Sequence, residues 1–318
     1  MTLEEKIKGF PVIKQFIAFG SSIKLPWLHG LSLYELLELY LSGIIEGALS
    51  YRAAAIAFSF FMALFPFALF ILNLIPYIPI EGFQEDFLGF VKDGVPPTTY
   101  DAIFKIINDI LTNSHSGLIS TGVIMAVLLM TNGVNAILGG FENSQHITLK
   151  RAFVRQYLVS LGMSILLSLI LIITVAAIVI FEVLIQKTKI QDVLSESIPI
   201  IEMSRYIFLI LMILIATSIL FKFGIKRNGK RAFISIGSVF TTILIILSSY
   251  FFGIWVVKFS KYNELYGSIG TLLVVMFYIW INCMILLLGF ELNALIQKLK
   301  REKALELESE NSTENLNS

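Results

Sequence analysis

The chain reads as an all-α integral membrane protein with six transmembrane helices, both termini cytoplasmic, and additional interfacial amphipathic helices. Three observations predict this. Of 318 residues, 56% are hydrophobic and only 15% charged, with a mean hydropathy of +0.82. Soluble domains carry about 25% charged residues, so a water-soluble enzyme is not the default reading. Six continuous apolar runs reach the ~20 residues needed to cross the hydrocarbon core, and their continuity selects helices over alternating barrel strands. The third observation is the distribution of basic residues.

The six spans are expected at about 53–75, 118–138, 157–185, 207–223, 233–257 and 266–288, within a membrane domain of residues 48–297. Sixteen of the 24 Lys and Arg residues fall on one side of these spans. They are Lys6, Lys8, Lys14 and Lys24; Lys150, Arg151 and Arg155; Lys222, Lys226, Arg227, Lys230 and Arg231; and Lys298, Lys300, Arg301 and Lys303. Seven lie opposite: Lys92, Lys105, Lys187, Lys189, Arg205, Lys258 and Lys261. Arg52 stands at the mouth of span one. Positive loops stay inside, so both termini are assigned to the cytoplasm. The first ten residues lack a cleavable signal pattern, and span one is expected to serve as the signal.

Residues 1–47 form a cytoplasmic segment. Within it, Leu31–Leu49 has the pattern of an amphipathic helix opened by a Ser32-Leu33-Tyr34-Glu35 capping box. It lies along the membrane interface or packs on the bundle. Between spans one and two, apolar stripes through Phe83, Phe87 and Phe90 and through Ile103, Ile107 and Ile110 predict an outer helical hairpin at 82–113. Gly94-Val95-Pro96-Pro97 supplies its turn. Residues 298–318 are charged and then Ser/Asn/Glu-rich, and read as a short helical extension followed by a disordered tail.

Catalysis needs convergent titratable groups, and they are sparse. One cysteine, Cys283, excludes a disulfide framework or cysteine metal site, and His29, His115 and His146 are scattered. No metal-ligand spacing, phosphate loop or nucleophile elbow occurs, so no catalytic residue, metal or cofactor is assigned and the chain is read as a non-enzyme. A net charge of +1 gives no basis for a nucleic-acid partner.

Ionisable groups at the edges of spans are the first functional suspects. Arg52 and Glu291 fall at similar depth and can pair, with Glu142 as the alternative partner. Such a pair either locks helices or acts as a gate. Asn73, Asn132, Asn135 and Asn282 are the polar candidates for a substrate groove, unless they only join helices. Pro66 interrupts span one, and Gly267 and Gly270 open span six; these are the hinge candidates.

The run Tyr266-Gly267-Ser268-Ile269-Gly270-Thr271-Leu272, followed by Leu286-Leu287-Leu288-Gly289-Phe290-Glu291-Leu292-Asn293-Ala294, resembles the sixth-span signature of the YihY/BrkB membrane protein family. Ala48-Leu49-Ser50-Tyr51, Ala63-Leu64-Phe65-Pro66 and Phe223-Gly224-Ile225-Lys226-Arg227 support the likeness, which extends from about Leu31 to Leu299. The resemblance implies a six-helix protein of the bacterial inner membrane. Members of that family are described as transporters, as linked to virulence or to export of envelope lipids, and formerly as ribonuclease BN. The residues disfavour the nuclease label, because the basic residues sit in short loops where topology already accounts for them. The leading expectation is an inner-membrane transporter of a lipid-like or amphiphilic envelope substrate, with membrane lipids as partners and homo-oligomerisation open. The alternative is a membrane scaffold without a transport cycle.

Overall fold

The computed structural model describes residues 21–24, 32–46, 48–74, 88, 104, 116–144, 146–147, 151–188, 200–225 and 232–316. Six helices organise them: α1 (Leu33–Glu46), α2 (Leu49–Leu74), α3 (Ser116–Glu142), α4 (Phe153–Thr188), α5 (Ile200–Phe223) and α6 (Ile236–Leu316). Five helical segments among the described residues are long and apolar enough to cross a membrane: Ile124–Glu142, Phe153–Phe181, Met203–Phe223, Ile236–Val256 and Leu272–Glu302. Leu49–Leu64 of α2 is a shorter apolar stretch. The outer hairpin expected at 82–113 lies outside the described residues, apart from helical backbone at Leu88 and Phe104.

Helix α6 covers what the sequence divides into spans five and six. An unbent helix rises about 1.5 Å per residue, which would hold Gly237 and Gly289 nearly 80 Å apart. Instead a Cβ on Gly237 would overlap the Gly289 carbonyl oxygen. Ser249 Oγ lies 2.7 Å from Tyr278 Oη, and the Trp255 and Phe277 rings are 5.9 Å apart. The element therefore doubles back between Trp255 and Phe277 into two antiparallel arms. Its start is fixed by Ser235 and Ser238, each donating its backbone N–H to the other's hydroxyl. Its end departs from expectation. The short helical extension expected after Lys298 continues as helix to Leu316, through residues read as a disordered tail. Lys298-Leu299-Lys300-Arg301-Glu302-Lys303-Ala304-Leu305-Glu306 consists of strong helix formers, and Lys298 and Glu302 pair at i,i+4.

Packing contacts run α2 to α3, α3 to α4, α4 to α5, α5 to α6 and α6 back to α2, closing a ring of helices. The ring is not uniformly tight. Buried side chains concentrate at one end, around Leu49–Ala57, Val134–Glu142, Ser160–Ser164, Thr217–Phe221 and Leu286–Ile296. At this closed end Phe141 stacks on Phe290 with ring centroids 4.0 Å apart, and Phe221 meets both edge-on. Away from it, no residue in 165–181, 205–216, 243–256 or 272–282 is buried. A helix enclosed by a tight bundle hides at least one face, so among the described residues these stretches of α4, α5 and α6 are loosely packed, whereas Ala63 of α2 and Ala126 of α3 are buried.

Helix α1 lies across the closed end. Ser32 and Glu35 form the reciprocal capping box: Ser32 N–H donates to Glu35 Oε2 at 2.8 Å, and Glu35 N–H to Ser32 Oγ at 3.2 Å. These bonds hold the Glu35 carboxyl below its usual range. Leu36, Tyr40 and Ile44 pack on Leu292, Leu295 and Ile296 of α6, while Leu37, Leu39 and Leu41 remain exposed. Tyr40 Oη donates to the Leu288 carbonyl at 2.8 Å, and burial pushes its pKa well above 10.

Candidate functional site

The closed end contains two arginine-centred networks. In the first, the chain between α1 and α2 turns at Ala48, whose φ is +46°. That left-handed conformation is uncommon outside glycine. The Ala48 carbonyl then accepts from the N–H groups of Tyr51 and Arg52, starting α2 and turning Arg52 inward. Arg52 Nε and Nη2 donate to the Gly140 carbonyl at 3.0 and 2.6 Å, and Nη1 to Glu291 Oε1 at 2.7 Å. Gly140 is in the last turn of α3, where carbonyls lack intrahelical partners and a cation is favoured by the helix dipole. Ser144 Oγ donates to the other carboxylate oxygen of Glu291 at 2.5 Å. The Arg52 and Glu291 side chains are only 9% and 3% exposed. One buried ion pair thus joins α2, the end of α3, the following loop and α6.

The second network joins α3, α4 and α5. Arg151 donates its backbone N–H to Glu142 Oε1 at 3.2 Å. Its guanidinium donates to the Gly224 and Phe223 carbonyls at 2.7 and 2.8 Å, closing the end of α5 as Arg52 closes that of α3. Burial lowers the Arg151 pKa against the opposing pull of Glu142, which does not change its charge at neutral pH. In the loop between the networks, His146 is half-buried and its backbone N–H donates to Ser144 Oγ. Burial holds its pKa below the ordinary 6.5, Lys298 reinforces this, and Glu291 and Glu302 oppose it.

Of the residues singled out in the sequence, Arg52 and Glu291 are brought together, and Glu142 belongs to the neighbouring Arg151 network. The described groove candidates Asn132, Asn135 and Asn282 do not converge. Asn135 is half-buried and accepts at Oδ1 from Ser160 Oγ at 3.3 Å, in an α3–α4 seam that includes Thr131 and Ser164 at 3.2 Å. Asn282 Nδ2 donates to the Tyr278 carbonyl of its own helix. Asn132 is exposed beside Ile124, Met125 and Leu128, on the side of α3 opposite buried Val134, Ile137 and Phe141. It therefore faces away from the ring interior. Asn73 has helical backbone, but its side chain lies outside the description. Pro66 is half-buried inside continuous helix α2. Gly270 is buried and Gly267 has helical backbone, whereas the observed close approach is at Gly237 and Gly289. A Cβ on Gly289 would overlap Thr241 Oγ1.

The signature segment of the last arm gathers here: Gly289 at the interhelical contact, Phe290 in the aromatic stack, Glu291 in the ion pair and Asn293 buried beside Gly237. The family model for virulence factor BrkB matches residues 41–313. The chain belongs to the BrkB family. Its relatives include YfkH, a ribonuclease-like protein of Bacillus subtilis (strain 168), 29% identical over 79% of this chain and 90% of that protein. UPF0761 membrane proteins of Coxiella burnetii strains Dugway 5J108-111 and RSA 493 are each 22% identical over 77% of this chain and 86% of theirs. No solved structure matches. Among the described residues there is no group of three His, Cys, Asp or Glu able to hold a metal ion. The chemistry available at the closed end of this BrkB-family bundle is that of a lock: the buried Arg52 and the half-buried Arg151, their acceptors and an aromatic stack.

Proposed function

We propose that this BrkB-family protein is a six-span bacterial inner-membrane transporter of a lipid-like or amphiphilic envelope substrate. Both termini lie in the cytoplasm, and it works as a carrier rather than an enzyme. One observation carries the reading: the ring is sealed at one end, and among the described residues the stretches of α4, α5 and α6 away from that end bury no residue. That is the geometry of a pathway closed on one side. The sealed end is also the basic one, bearing Arg151, Lys222 and Lys298, so positive-inside topology assigns the seal to the cytoplasmic face. The pathway is open toward the outer leaflet in this state. Apolar gaps between helices would accommodate acyl chains, and the hydroxyl and amide groups of the α3–α4 seam would meet the polar part.

Native mass spectrometry of the protein, extracted mildly from its own membrane, tests this. The expected result is a stoichiometric, chemically selective lipid that survives washing. Lipid bound only in proportion to the surrounding membrane would overturn the substrate class and favour the scaffold reading.

A further inference from the structure

Three apolar segments end at the sealed face: α4 at Phe153, α5 at Phe223 and the first arm of α6 at Ile236. Arg151 ties the first two together through the Phe223 and Gly224 carbonyls. This is the level of the lipid headgroups. Two cations stand here without a counter-charge. Lys222 Nζ is 5.5 Å from the centre of the Phe223 ring and 5.4 Å from that of Phe233. Among the described residues these are its only contacts with partners of any charge or polarity. Arg155, one turn beyond Arg151 and exposed, has no hydrogen bond or ion pair among the described residues. Its five donors face outward, and their natural partner is a carboxylate or a phosphate.

The charge around them does not balance. Arg151, Arg155 and Lys222 are set against the Glu142 carboxylate, and Arg155 is close enough to Arg151 to oppose its charge. The sequence from Lys222 to Arg231 carries five Lys and Arg residues and no Asp or Glu. Positive-inside topology explains why cations lie on this side, but not why two are left unpaired beside exposed hydrocarbon. Leu158, one turn below Arg155, is 62% exposed, and Phe223 and Phe233 are 47% and 40% exposed. A soluble anion would meet the cations and leave this apolar rim uncovered. An anion that carries hydrocarbon satisfies both.

We infer that the rim formed by the cytoplasmic ends of α4, α5 and α6 binds an anionic phospholipid of the inner leaflet. Its phosphate is held by Arg155 and Lys222, and its acyl chains lie against the exposed apolar surface around Leu158. Basic pockets between helices on the cytoplasmic side suit anionic headgroups, because the phosphate is met at its own depth and the chains never leave the bilayer. The lipid sits on the outside of the ring, distinct from a substrate within it. The inference therefore rests on the cytoplasmic assignment of the sealed end and not on transport.

The test uses the full-length protein, stripped of lipid in mild detergent and titrated with phosphatidylglycerol or phosphatidylethanolamine, with bound lipid counted by native mass spectrometry. Phosphatidylglycerol is expected to fill one site at concentrations where phosphatidylethanolamine does not. Arg155→Gln and Lys222→Gln should each weaken that binding roughly fivefold, and the double variant more than tenfold. Arg155→Lys and Lys222→Arg, which keep the charge, should retain most of it. Arg301→Gln, which removes an exposed cation from the α6 extension, should leave it unchanged. Neither Arg155 nor Lys222 hydrogen-bonds or ion-pairs within the described protomer, so the Gln variants should keep the wild-type unfolding midpoint, which separates lost binding from misfolding. Selective binding in protein that moves no lipid between leaflets would uphold this site while refuting transport. Equal affinity for the two lipids, undiminished binding in the double Gln variant, or the same loss in Arg301→Gln would overturn the proposal. So would displacement of phosphatidylglycerol by an equal concentration of inorganic phosphate or of a short oligonucleotide, which would assign the cations to a soluble anion.

Discussion

Removing either member of the Arg52–Glu291 pair should cost nearly as much as removing both. Among its contacts, Arg52 donates twice to the Gly140 carbonyl and once to Glu291, and Glu291 accepts a further bond from Ser144. Both side chains are more than nine-tenths hidden. Truncating one member of a buried pair leaves an uncompensated charge, at a cost of about 3–5 kcal/mol. Arg52→Ala also orphans the Gly140 carbonyl, and Glu291→Ala orphans the Ser144 hydroxyl. A stability loss of 1 kcal/mol lowers the midpoint by about 2–4 °C in large domains, so each single variant should lose about 10 °C. In the double variant the second change has no charge left to strand, and the coupling should be about 2 kcal/mol or more. The assay is thermal unfolding in detergent at one fixed scan rate, since unfolding of such proteins is commonly irreversible. Losses that simply add would refute the account of the closed end as a coupled lock.

Two other outcomes follow from the same packing. Gly289→Ala should lower the unfolding midpoint by several degrees, because its methyl group would overlap Thr241, whereas Gly253→Ala, with nothing within 4 Å, should be neutral or mildly stabilising; equal effects would contradict the close approach of the two α6 arms. His146 has a lowered folded-state pKa, so its stabilising contribution is present above its ordinary 6.5 and is lost as pH falls through the folded value. The stability difference between wild type and His146→Gln should therefore shrink on acidification below about pH 6.5, and a pH-independent difference would count against a buried neutral imidazole.

The positions of five long apolar segments were legible because length and apolarity alone define them. Helix α1 was legible too, since its Ser32–Glu35 cap and its apolar positions are local signals. The reversal inside α6 fell where the sequence separates two spans. Inward-facing sides were not legible. In a soluble helix an apolar stripe marks the core, but these helices are apolar all round, so Asn132 and Asn135 carry no mark of opposite roles. The Arg52–Glu291 contact was accessible from depth alone. Arg151 was not: it counted only as one more basic loop residue, and its role depends on where α5 ends in space. Phe141, Phe221 and Phe290 lie in three separate apolar runs with no pattern linking them. Gly237 and Gly289, too, become partners only once α6 has folded back.

The most direct test of the central claim is movement of a fluorescent phospholipid between leaflets of vesicles containing the purified protein, followed by quenching from outside. A cytoplasmic seal within a lipid pathway predicts faster exchange than in protein-free vesicles. It also predicts a further change in rate for Glu291→Gln, which keeps the shape of the lock and removes its charge. Exchange no faster than in empty vesicles, for wild type and Glu291→Gln alike, across the envelope lipids found bound to the protein, would contradict the account.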